Sequence, residues 1–415
     1  MEHWQAVLDQ AQSRGRLPSI VGAVLRGGEL TWTGSAGSRG GLDQQYRIGS
    51  ITKTLTAVLV MQARDDGLLA LDEPLGSWIP ESGYADATLR SLLRHTSGMQ
   101  SEPAGPWWER SPGVGIDTLL ARNDGSGRVF ADGVAFHYSN LGFALLGEVV
   151  ARVRGTSWFS LVQERLLEPL AMSATTYDAV PGRHAQGYSV GHFAGTLTEE
   201  PHEDTVAMAP AGQLWSTIAD LARWLTFLAA GHPDVLAPAT LAEMSRVTAP
   251  AVEYGLGLRV LDVAGRTLVG HTGSMPGFLA TAFVERETGD GVVALSNATT
   301  GLVTDQLART LVTAAPSPDA EPGTPWEPST SVPPEVEEIL GLWFWGNSAH
   351  ELRWHNGLVE LRDLSDPDDP DRFALVDGAF CGVAGYHLGE TLDVHRDTGT
   401  LECATFVYTR TPYPR

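Results

Sequence analysis

The sequence predicts an α+β domain followed by a small all-β domain, and three patterns support this division. Segments with helical spacing of apolar residues alternate with β-rich runs up to about residue 312. Residues 254–297 consist of β-rich runs separated by glycine-containing turns, which indicates antiparallel strands. Residues 315–334 are rich in proline and lack apolar periodicity, as linkers do. The predicted domains are therefore 1–314 and 335–415, joined by a linker at 315–334.

The first predicted element is an amphipathic helix, in which apolar residues recur at helical spacing from Trp4 to Ala11. Gly27-Gly28 then joins two β-rich runs as a hairpin. Residues 101–135 are rich in Gly, Pro and Trp and are expected to be irregular. Further helices are predicted near Ser50 to Gly67 and at residues 88–94, 141–153, 212–230 and 304–312.

The C-terminal domain reads as a sandwich or barrel, because short β-rich runs alternate with turns. Its two cysteines, Cys381 and Cys403, form no CxxC motif, and we expect two reduced thiols, although adjacent strands could bring them together. The 12 histidines form no ligand pattern, since His350 and His355 are separated too far for an HExxH site. Neither a metal nor a cofactor is predicted.

Net charge and hydropathy limit the possible partners. The formal net charge of -22 disfavours binding to nucleic acid or to anionic membranes, although such a surface can also serve solubility alone. No apolar run is long enough for a transmembrane helix. The N-terminal residues lack a basic start and a continuous apolar core, so no signal peptide is expected and a cytoplasmic location is predicted.

Lys53 is the only lysine among the 28 lysine and arginine residues, and it follows Ser50 by three positions. On a helix this spacing places the amine beside the hydroxyl. A serine hydroxyl needs a nearby base to become nucleophilic, and a buried lysine, unlike an arginine, can lose its proton near neutral pH. An S-x-x-K pattern alone also arises by chance, with the serine as a helix cap and the lysine on the surface.

Two further segments make the catalytic interpretation more specific. Tyr138-Ser139-Asn140 precedes a predicted helix, and His271-Thr272-Gly273 lies on a predicted strand ahead of a Gly/Pro turn. Either segment alone is compatible with a buried phenol or a structural histidine. Their order and spacing after the S-x-x-K pattern indicate one combined site.

This combination resembles the serine β-lactamase and penicillin-binding-protein superfamily, in the branch of class C β-lactamases, DD-carboxypeptidases, D-aminopeptidases and esterases. That superfamily has S-x-x-K, Y-[SA]-N and [KH]-[TS]-G in this order. Segments 66–75, 92–99 and 211–217 also match, and the resemblance covers about residues 5–312. It implies an antiparallel sheet flanked by helices, with an all-helical lobe and the active site between them.

The resemblance also implies roles for the matching residues. Ser50 forms a covalent acyl-enzyme, and Lys53 and Tyr138 share the proton, with the identity of the base left open. The backbone N–H groups of Ser50 and Ser274 form an oxyanion hole. His271 belongs to the catalytic set. Substrate contacts are expected from Asn140, Thr272, Gly273 and Trp215, although Trp215 is equally compatible with a core position, and His95 is expected to be structural.

His271 departs from the lysine that β-lactamases and DD-carboxypeptidases usually have there. A histidine can be neutral at pH 7, so the change disfavours penicillin hydrolysis and favours esterases, aminopeptidases and acyltransferases. The two-domain layout is similar to stand-alone penicillin-binding-protein-type thioesterases, which have a lipocalin-like C-terminal domain. This implies release and cyclisation of a peptide with a D-residue at its acyl end from a peptidyl carrier protein. Arg410 is the candidate for the arginine that points at the active site in those enzymes, although a surface position on the last strand is equally compatible. The alternative is a D-stereospecific peptidase, esterase or β-lactamase-like hydrolase acting on a small peptidyl or ester substrate.

Overall fold

The computed structural model describes residues 2–315 and 324–413. The described residues divide into two compact units. The N-terminal unit comprises those within Met1–Tyr188 and Glu199–Pro325, and the C-terminal unit comprises those within Ser189–Thr198 and Trp326–Arg415. Among the described residues, none of the helices is both long and apolar enough to cross a membrane.

A six-stranded antiparallel sheet forms the centre of the N-terminal unit, with strand order β2-β1-β10-β9-β8-β7. Gly27 and Gly28 have positive φ angles of 61° and 82° and make the β1–β2 turn, as predicted for a hairpin. The strands are β1 (Ser19–Arg26), β2 (Glu29–Gly37), β7 (Arg259–Val263), β8 (Arg266–Met275), β9 (Phe278–Glu285) and β10 (Gly291–Ser296). Strands β9 and β10 are buried along their whole length, so the sheet is covered on both faces.

Helices surround this sheet and form the predicted helical lobe. Helices α1, α8 and α10 contact the sheet, and α5 contacts α2, α3, α6 and α7. The helices are α1 (Glu2–Gly15), α2 (Thr52–Asp65), α3 (Leu89–Leu93), α4 (Ile116–Arg122), α5 (Asn140–Arg154), α6 (Trp158–Val162) with a π-helical turn (Gln163–Leu167), α7 (Ala209–Gly212), α8 (Ile218–Ala230), α9 (Pro238–Met244) and α10 (Thr304–Thr313). The predicted α+β fold is confirmed.

Two local predictions differ from the structure. The helix predicted at 212–230 begins only at Ile218, because the Thr217 side chain accepts a hydrogen bond from Asp220 N and fixes the helix start. The preceding residues form a short strand, β6 (Trp215–Ser216), which pairs with β3 (Tyr46–Arg47). Helix α4 interrupts the stretch that was predicted to be irregular.

A closed eight-stranded antiparallel barrel forms the C-terminal unit, which decides between the predicted sandwich and barrel. The short helix α11 (Pro334–Ile339) precedes it. The strands are β11 (Gly341–Trp345), β12 (Ser348–His355), β13 (Leu358–Asp363), β14 (Asp366–Val376), β15 (Ala379–Ala384), β16 (Thr391–His395), β17 (Thr400–Cys403) and β18 (Phe406–Thr409). Both cysteines are free, with Cys381 on β15 and Cys403 on β17, and β16 lies between their strands.

Residues 189–198 belong to the C-terminal unit, although the sequence placed them in the first domain. They pack there because Phe193 O accepts a hydrogen bond from Trp354 N at 2.7 Å and Gly195 O accepts one from Ser329 N at 3.0 Å. This segment includes parts of the short paired strands β4 (Tyr188–Val190) and β5 (Leu197–Glu199). Of the predicted linker 315–334, residues 316–323 lie outside the described residues.

Candidate active site

Ser50 lies in a tight 3-10 turn, Gly49–Ile51, directly before α2. Lys53 follows in the first turn of α2, and its Nζ is 2.8 Å from Ser50 Oγ and 2.7 Å from Ala211 O. Gly49 has a φ of 51°, and a Cβ at this position would lie 2.5 Å from Ser274 N. Glycine is therefore required where the serine turn meets strand β8.

The Lys53 amine is fully buried. Burial lowers its pKa from the ordinary value to about 7, against the opposing influence of Glu102 and Glu109. Among the described residues, no carboxylate lies within ion-pair distance of Nζ. The amine instead lies over the Tyr138 ring, 5.1 Å from its centroid. A large fraction of Lys53 is therefore neutral at pH 7 and able to accept a proton.

Tyr138 is held beside Ser50 by the start of α5 and by His95. Ser139 caps α5, its backbone N–H donates to His95 Nδ1 at 3.0 Å, and His137 N donates to His95 O at 2.7 Å. The Tyr138 ring lies 4.1 Å from the His95 ring. Tyr138 lines the same cavity as Ser50, and burial raises the pKa of its phenol above the ordinary value. Tyr138 is therefore protonated at neutral pH.

Strand β8 carries the third predicted segment past the nucleophile turn. A Cβ at Gly273 would lie 1.9 Å from Ile48 O, so only glycine allows this approach. His271 Nδ1 donates to Thr272 O at 2.5 Å, which leaves Nε2 to accept from Tyr254 Oη at 3.1 Å. Burial, followed by the charge of Lys53, lowers the pKa of His271 to about 3. His271 is thus a neutral imidazole.

A cavity of about 400 Å³ opens beside Ser50. Arg259 lies on its wall and donates to Thr272 Oγ1 at 3.1 Å, while two bonds of 2.7 Å pair it with Asp305. The guanidinium charge is thus already neutralised. The cavity is lined by Ser50, Phe136, Tyr138, Val252, Glu253, Tyr254, Arg259, His271, Thr272, Gly273, Ser274, Leu279 and Thr304.

Asn140 is the first residue of α5, and a carboxylate orients its amide. Its Nδ2 donates to Glu102 Oε1 at 2.7 Å, while Glu102 Oε2 accepts from Trp108 Nε1 at 2.7 Å. The buried Oδ1 has no hydrogen-bond partner among the described residues. An oriented acceptor of this kind can receive an amide N–H from a substrate.

Trp215 and Arg410, the two remaining predicted substrate contacts, have different structural settings. Trp215 is buried against Phe278 and His202, with ring centroids 5.2 and 4.8 Å away, and it does not line the cavity at Ser50. This matches the core position that the sequence left open. Arg410 lies in the C-terminal unit, stacks 3.8 Å from the Trp343 centroid and donates to three backbone carbonyls, those of Glu338, Leu340 and Leu342. Its assignment to substrate binding stays a prediction.

Sequence reasoning missed Glu102, Tyr254 and Arg259. Their partners in the site lie 38, 17 and 13 residues away along the chain, beyond any local pattern. Among the described residues, the one group of His, Cys and carboxylate side chains close enough to share a metal ion lies in the barrel and not around Ser50.

Comparison with protein-family models decides the family. The model described as beta-lactamase matches residues 4–316. This chain belongs to the beta-lactamase family. A second model, a domain of unknown function (DUF7586), matches residues 332–410. The resemblance inferred from the sequence motifs is therefore confirmed, and the chain has the beta-lactamase fold.

Curated relatives match parts of the chain. Beta-lactamase-like protein 2 of Dictyostelium discoideum is 28% identical over 261 residues, which cover 57% of this chain and 47% of that protein. Penicillin-binding protein 4 of Amycolatopsis lactamdurans is 28% identical over 285 residues, with 64% and 68% covered. The chain thus spans less than half of the first of these proteins.

Solved structures extend the comparison to the whole fold. A D-stereospecific amidohydrolase from Streptomyces sp. has a TM-score of 0.64 at 29% identity and covers 75% of this chain and 99% of its own. The structure of SurE has a TM-score of 0.62 at 24% identity and covers 99% of this chain and 98% of its own. The likeness to SurE shows the fold alone and includes the C-terminal barrel.

Proposed function

We propose that the chain forms an acyl-enzyme at Ser50, with Lys53 as the base that removes the hydroxyl proton. The observation that carries this proposal is the buried amine 2.8 Å from Ser50 Oγ, whose pKa burial lowers to about 7. Tyr138 cannot supply the base in the resting enzyme, because its raised pKa keeps the phenol protonated. It is instead the proton relay to the leaving group.

The acylation step moves one proton and exchanges one bond. Ser50 Oγ attacks the substrate carbonyl carbon while its proton passes to Lys53 Nζ, and the carbonyl oxygen becomes an oxyanion. The backbone N–H groups of Ser50 and Ser274 stabilise this charge. The tetrahedral intermediate collapses with cleavage of the bond to the leaving group, which receives a proton through Tyr138. Activity is expected to rise as the pH increases through about 7, because only neutral Lys53 accepts the proton.

The charges of the cavity indicate the substrate class. His271 is neutral, and Arg259 is occupied by Asp305, so the described lining residues offer no unpaired cation to a substrate carboxylate. Penicillins and D-Ala-D-Ala peptides carry such a carboxylate next to the scissile bond. The cavity is therefore better suited to an ester, a thioester or an internal amide.

Within this class, we favour a thioesterase that releases a peptide with a D-residue at its acyl end from a carrier protein and closes it into a ring. The two-unit architecture with an eight-stranded barrel supports this choice. A D-configured acyl group is supported by the likeness to a D-stereospecific amidohydrolase at 29% identity. The amine of the peptide then replaces water as the acceptor.

A pair of serine variants tests the nucleophile. Ser50→Ala should abolish turnover of a chromogenic ester and labelling by a fluorophosphonate probe. Ser274→Ala is the matched control, because it removes an exposed hydroxyl of the same site but keeps the backbone N–H. Labelling that persists in Ser50→Ala would place the nucleophile elsewhere. A large loss in Ser274→Ala would give that hydroxyl a role that the mechanism does not assign.

Product mass spectrometry tests the acceptor. The substrate is a peptidyl thioester with a D-residue at the acyl end, and its L-epimer is the control. A ring from the D-epimer alone supports the thioesterase, and faster turnover from a carrier protein than from a small thiol supports the partner. A linear acid as the sole product contradicts cyclisation.

A D-stereospecific amidase is the second candidate function. The match to the Streptomyces amidohydrolase, which spans 99% of that protein, favours it. Hydrolysis of D-amino acid amides at rates above those of the D-peptidyl thioester would select this function instead.

A further inference from the structure

The turn between β15 and β16 contains a buried histidine between two exposed neighbours. Tyr386 and Leu388 are 81% and 66% exposed, whereas His387 between them is 2% exposed. The turn is pinned by hydrogen bonds from Gly382 N to Glu390 O at 2.7 Å and from Gly389 N to Gly382 O at 2.9 Å. These backbone hydrogen bonds therefore keep the imidazole buried in the barrel rather than exposed to solvent.

Glycines hold this arrangement open. A Cβ at Gly382 would lie 2.0 Å from His387 O, and a Cβ at Gly385 would lie 2.3 Å from Asp371 Oδ1. Asp371 Oδ1 also accepts a hydrogen bond from the His387 backbone N–H at 2.9 Å. Strand β14 and the turn are thus locked together around the imidazole.

Three ligand atoms of different chemistry meet at this point. His387 Nδ1 is 2.6 Å from Glu390 Oε2, and Cys403 Sγ, at the end of β17, is 3.8 Å from the same oxygen. All three ligand atoms lie within 4.8 Å of one another. Zinc binds such atoms at about 2.0–2.3 Å, which separates neighbouring ligands by roughly 3–4 Å. The Glu390 side chain is 44% exposed, so its carboxylate is free to move from its present 2.6 Å to the larger separation from His387 Nδ1 that a shared zinc ion requires.

The second imidazole nitrogen also faces a carboxylate. His387 Nε2 lies 4.0 Å from Asp371 Oδ2. Histidines that bind a metal through one nitrogen commonly direct the other N–H to a carboxylate, which fixes the tautomer and the ring orientation. At 4.0 Å, Asp371 is too far for a hydrogen bond, but it lies on the side of the ring where such a partner is needed for metal binding through Nδ1.

We propose that His387 Nδ1, Glu390 and the Cys403 thiolate bind a zinc ion, with water as the fourth ligand. Sulfur and imidazole nitrogen select zinc over magnesium or calcium, which prefer oxygen. Burial, followed by the charges of Glu390 and Asp371, raises the pKa of the Cys403 thiol to about 12. The free thiol is therefore protonated, and binding releases this proton to solvent.

The ion would tie the β15–β16 turn to the β17–β18 hairpin. Tyr386, His387 and Phe406 already form ring contacts across the same gap, with centroids 5.1–5.9 Å apart. A metal bond between the turn and Cys403 links two segments that are separated along the chain by strand β16. The site is structural in this proposal and independent of the chemistry at Ser50.

Cobalt(II) titration of the metal-free full-length protein tests the site. We expect about one equivalent to give a thiolate-to-cobalt charge-transfer band, and zinc to abolish it. Cys403→Ser should remove the band. Cys381→Ser is the matched control, since it changes the other cysteine of the barrel, and it should leave the band unchanged.

The outcomes are distinct even where Cys403→Ser fails to fold. Glu390→Gln changes a partly exposed side chain and should weaken cobalt binding at least roughly tenfold without altering the circular dichroism spectrum. No band with wild-type protein overturns the proposal. It is equally overturned by a band that persists in Cys403→Ser, that disappears in Cys381→Ser, or that keeps its affinity in Glu390→Gln.

Discussion

The two units bury ionisable side chains in opposite ways. In the N-terminal unit, Lys53 is fully buried and has only neutral hydrogen-bond partners, Ser50 and Ala211. In the barrel, the Glu360 side chain is 4% exposed, but its oxygens meet Arg353 at 2.8 Å and Arg372 at 3.1 Å. Both residues lose hydration, and only the glutamate receives counter-charges in return.

The pKa values follow this difference. Burial lowers the pKa of Lys53 to about 7, so its proton is exchangeable at physiological pH. Burial alone would raise the pKa of Glu360, but the two arginines outweigh it and the pKa is lowered. Paired burial therefore fixes a charge, whereas unpaired burial keeps a proton available at a cost in stability. Variants of both regions test this contrast.

The largest expected effect follows Lys53→Arg. Arginine keeps a cation beside Ser50 but cannot lose its proton, so kcat/KM for a chromogenic ester should fall at least roughly 1,000-fold. Circular dichroism and thermal melting check that the longer side chain leaves the unit folded. A folded variant with near-normal rates would mean that the position needs only a positive charge.

Glu360→Ala should have the next largest effect. Removing the buried carboxylate leaves the partly exposed Arg353 and Arg372 without this counter-charge, and the free energy of unfolding should fall by about 2–4 kcal/mol, allowing for the exposure of both arginines. Urea unfolding followed by tryptophan fluorescence measures this loss.

The matched control is Glu338→Ala. Glu338 pairs with Arg396 at 2.8 Å in the same unit, but both side chains are exposed, so the cost should stay below about 1 kcal/mol. If both variants lost the same free energy of unfolding, burial would not explain the contribution of Glu360 to stability.

Lys53→Met should raise stability while abolishing activity. The folded-state pKa of about 7 lies below the ordinary 10.5, so the unfolded chain binds more protons between these values. The penalty for burying the amine is thus complete below pH 7 and vanishes towards pH 10.5. Relative to wild type, the variant should gain about 2–3 kcal/mol at pH 6 after its lost hydrogen bonds are subtracted. A gain that is the same at pH 6 and pH 10 would contradict the buried-amine titration.

Local signals were enough to predict much of the fold. Helix α5 matches its prediction because Ser139 caps its start and Gly155, with a φ of 68°, ends it. Helix α8 was predicted to start too early, because residues before Thr217 are apolar enough to continue the helical pattern. Their pairing with β3, which no local pattern indicates, draws them into a strand instead.

The site divides in the same way. Ser50 and Lys53 share one helical turn, so their sequence spacing fixes their contact. The family motifs supplied Tyr138 and His271, which the structure brings to the same cavity. The sequence did not predict Glu102 and Tyr254. Each contacts a motif residue, Asn140 or His271, only through the tertiary fold.

The smallest expected effect concerns Tyr254→Phe, which isolates one of these missed contacts. The change removes the donor to His271 Nε2 and should cost about 1 kcal/mol of stability. If Tyr254 positions the imidazole, kcat should also fall several-fold, and the ¹⁵N signal of His271 Nε2 should shift. Tyr84→Phe is the matched control, because Tyr84 is also buried and its hydroxyl donates a hydrogen bond of 2.8 Å to Gln100 Oε1. Neither of these two residues lines the cavity at Ser50. If both variants lose similar stability but only Tyr254→Phe has a lower kcat, Tyr254 is a positioning residue. If kcat is unchanged in both, the hydrogen bond from Tyr254 to His271 is purely structural.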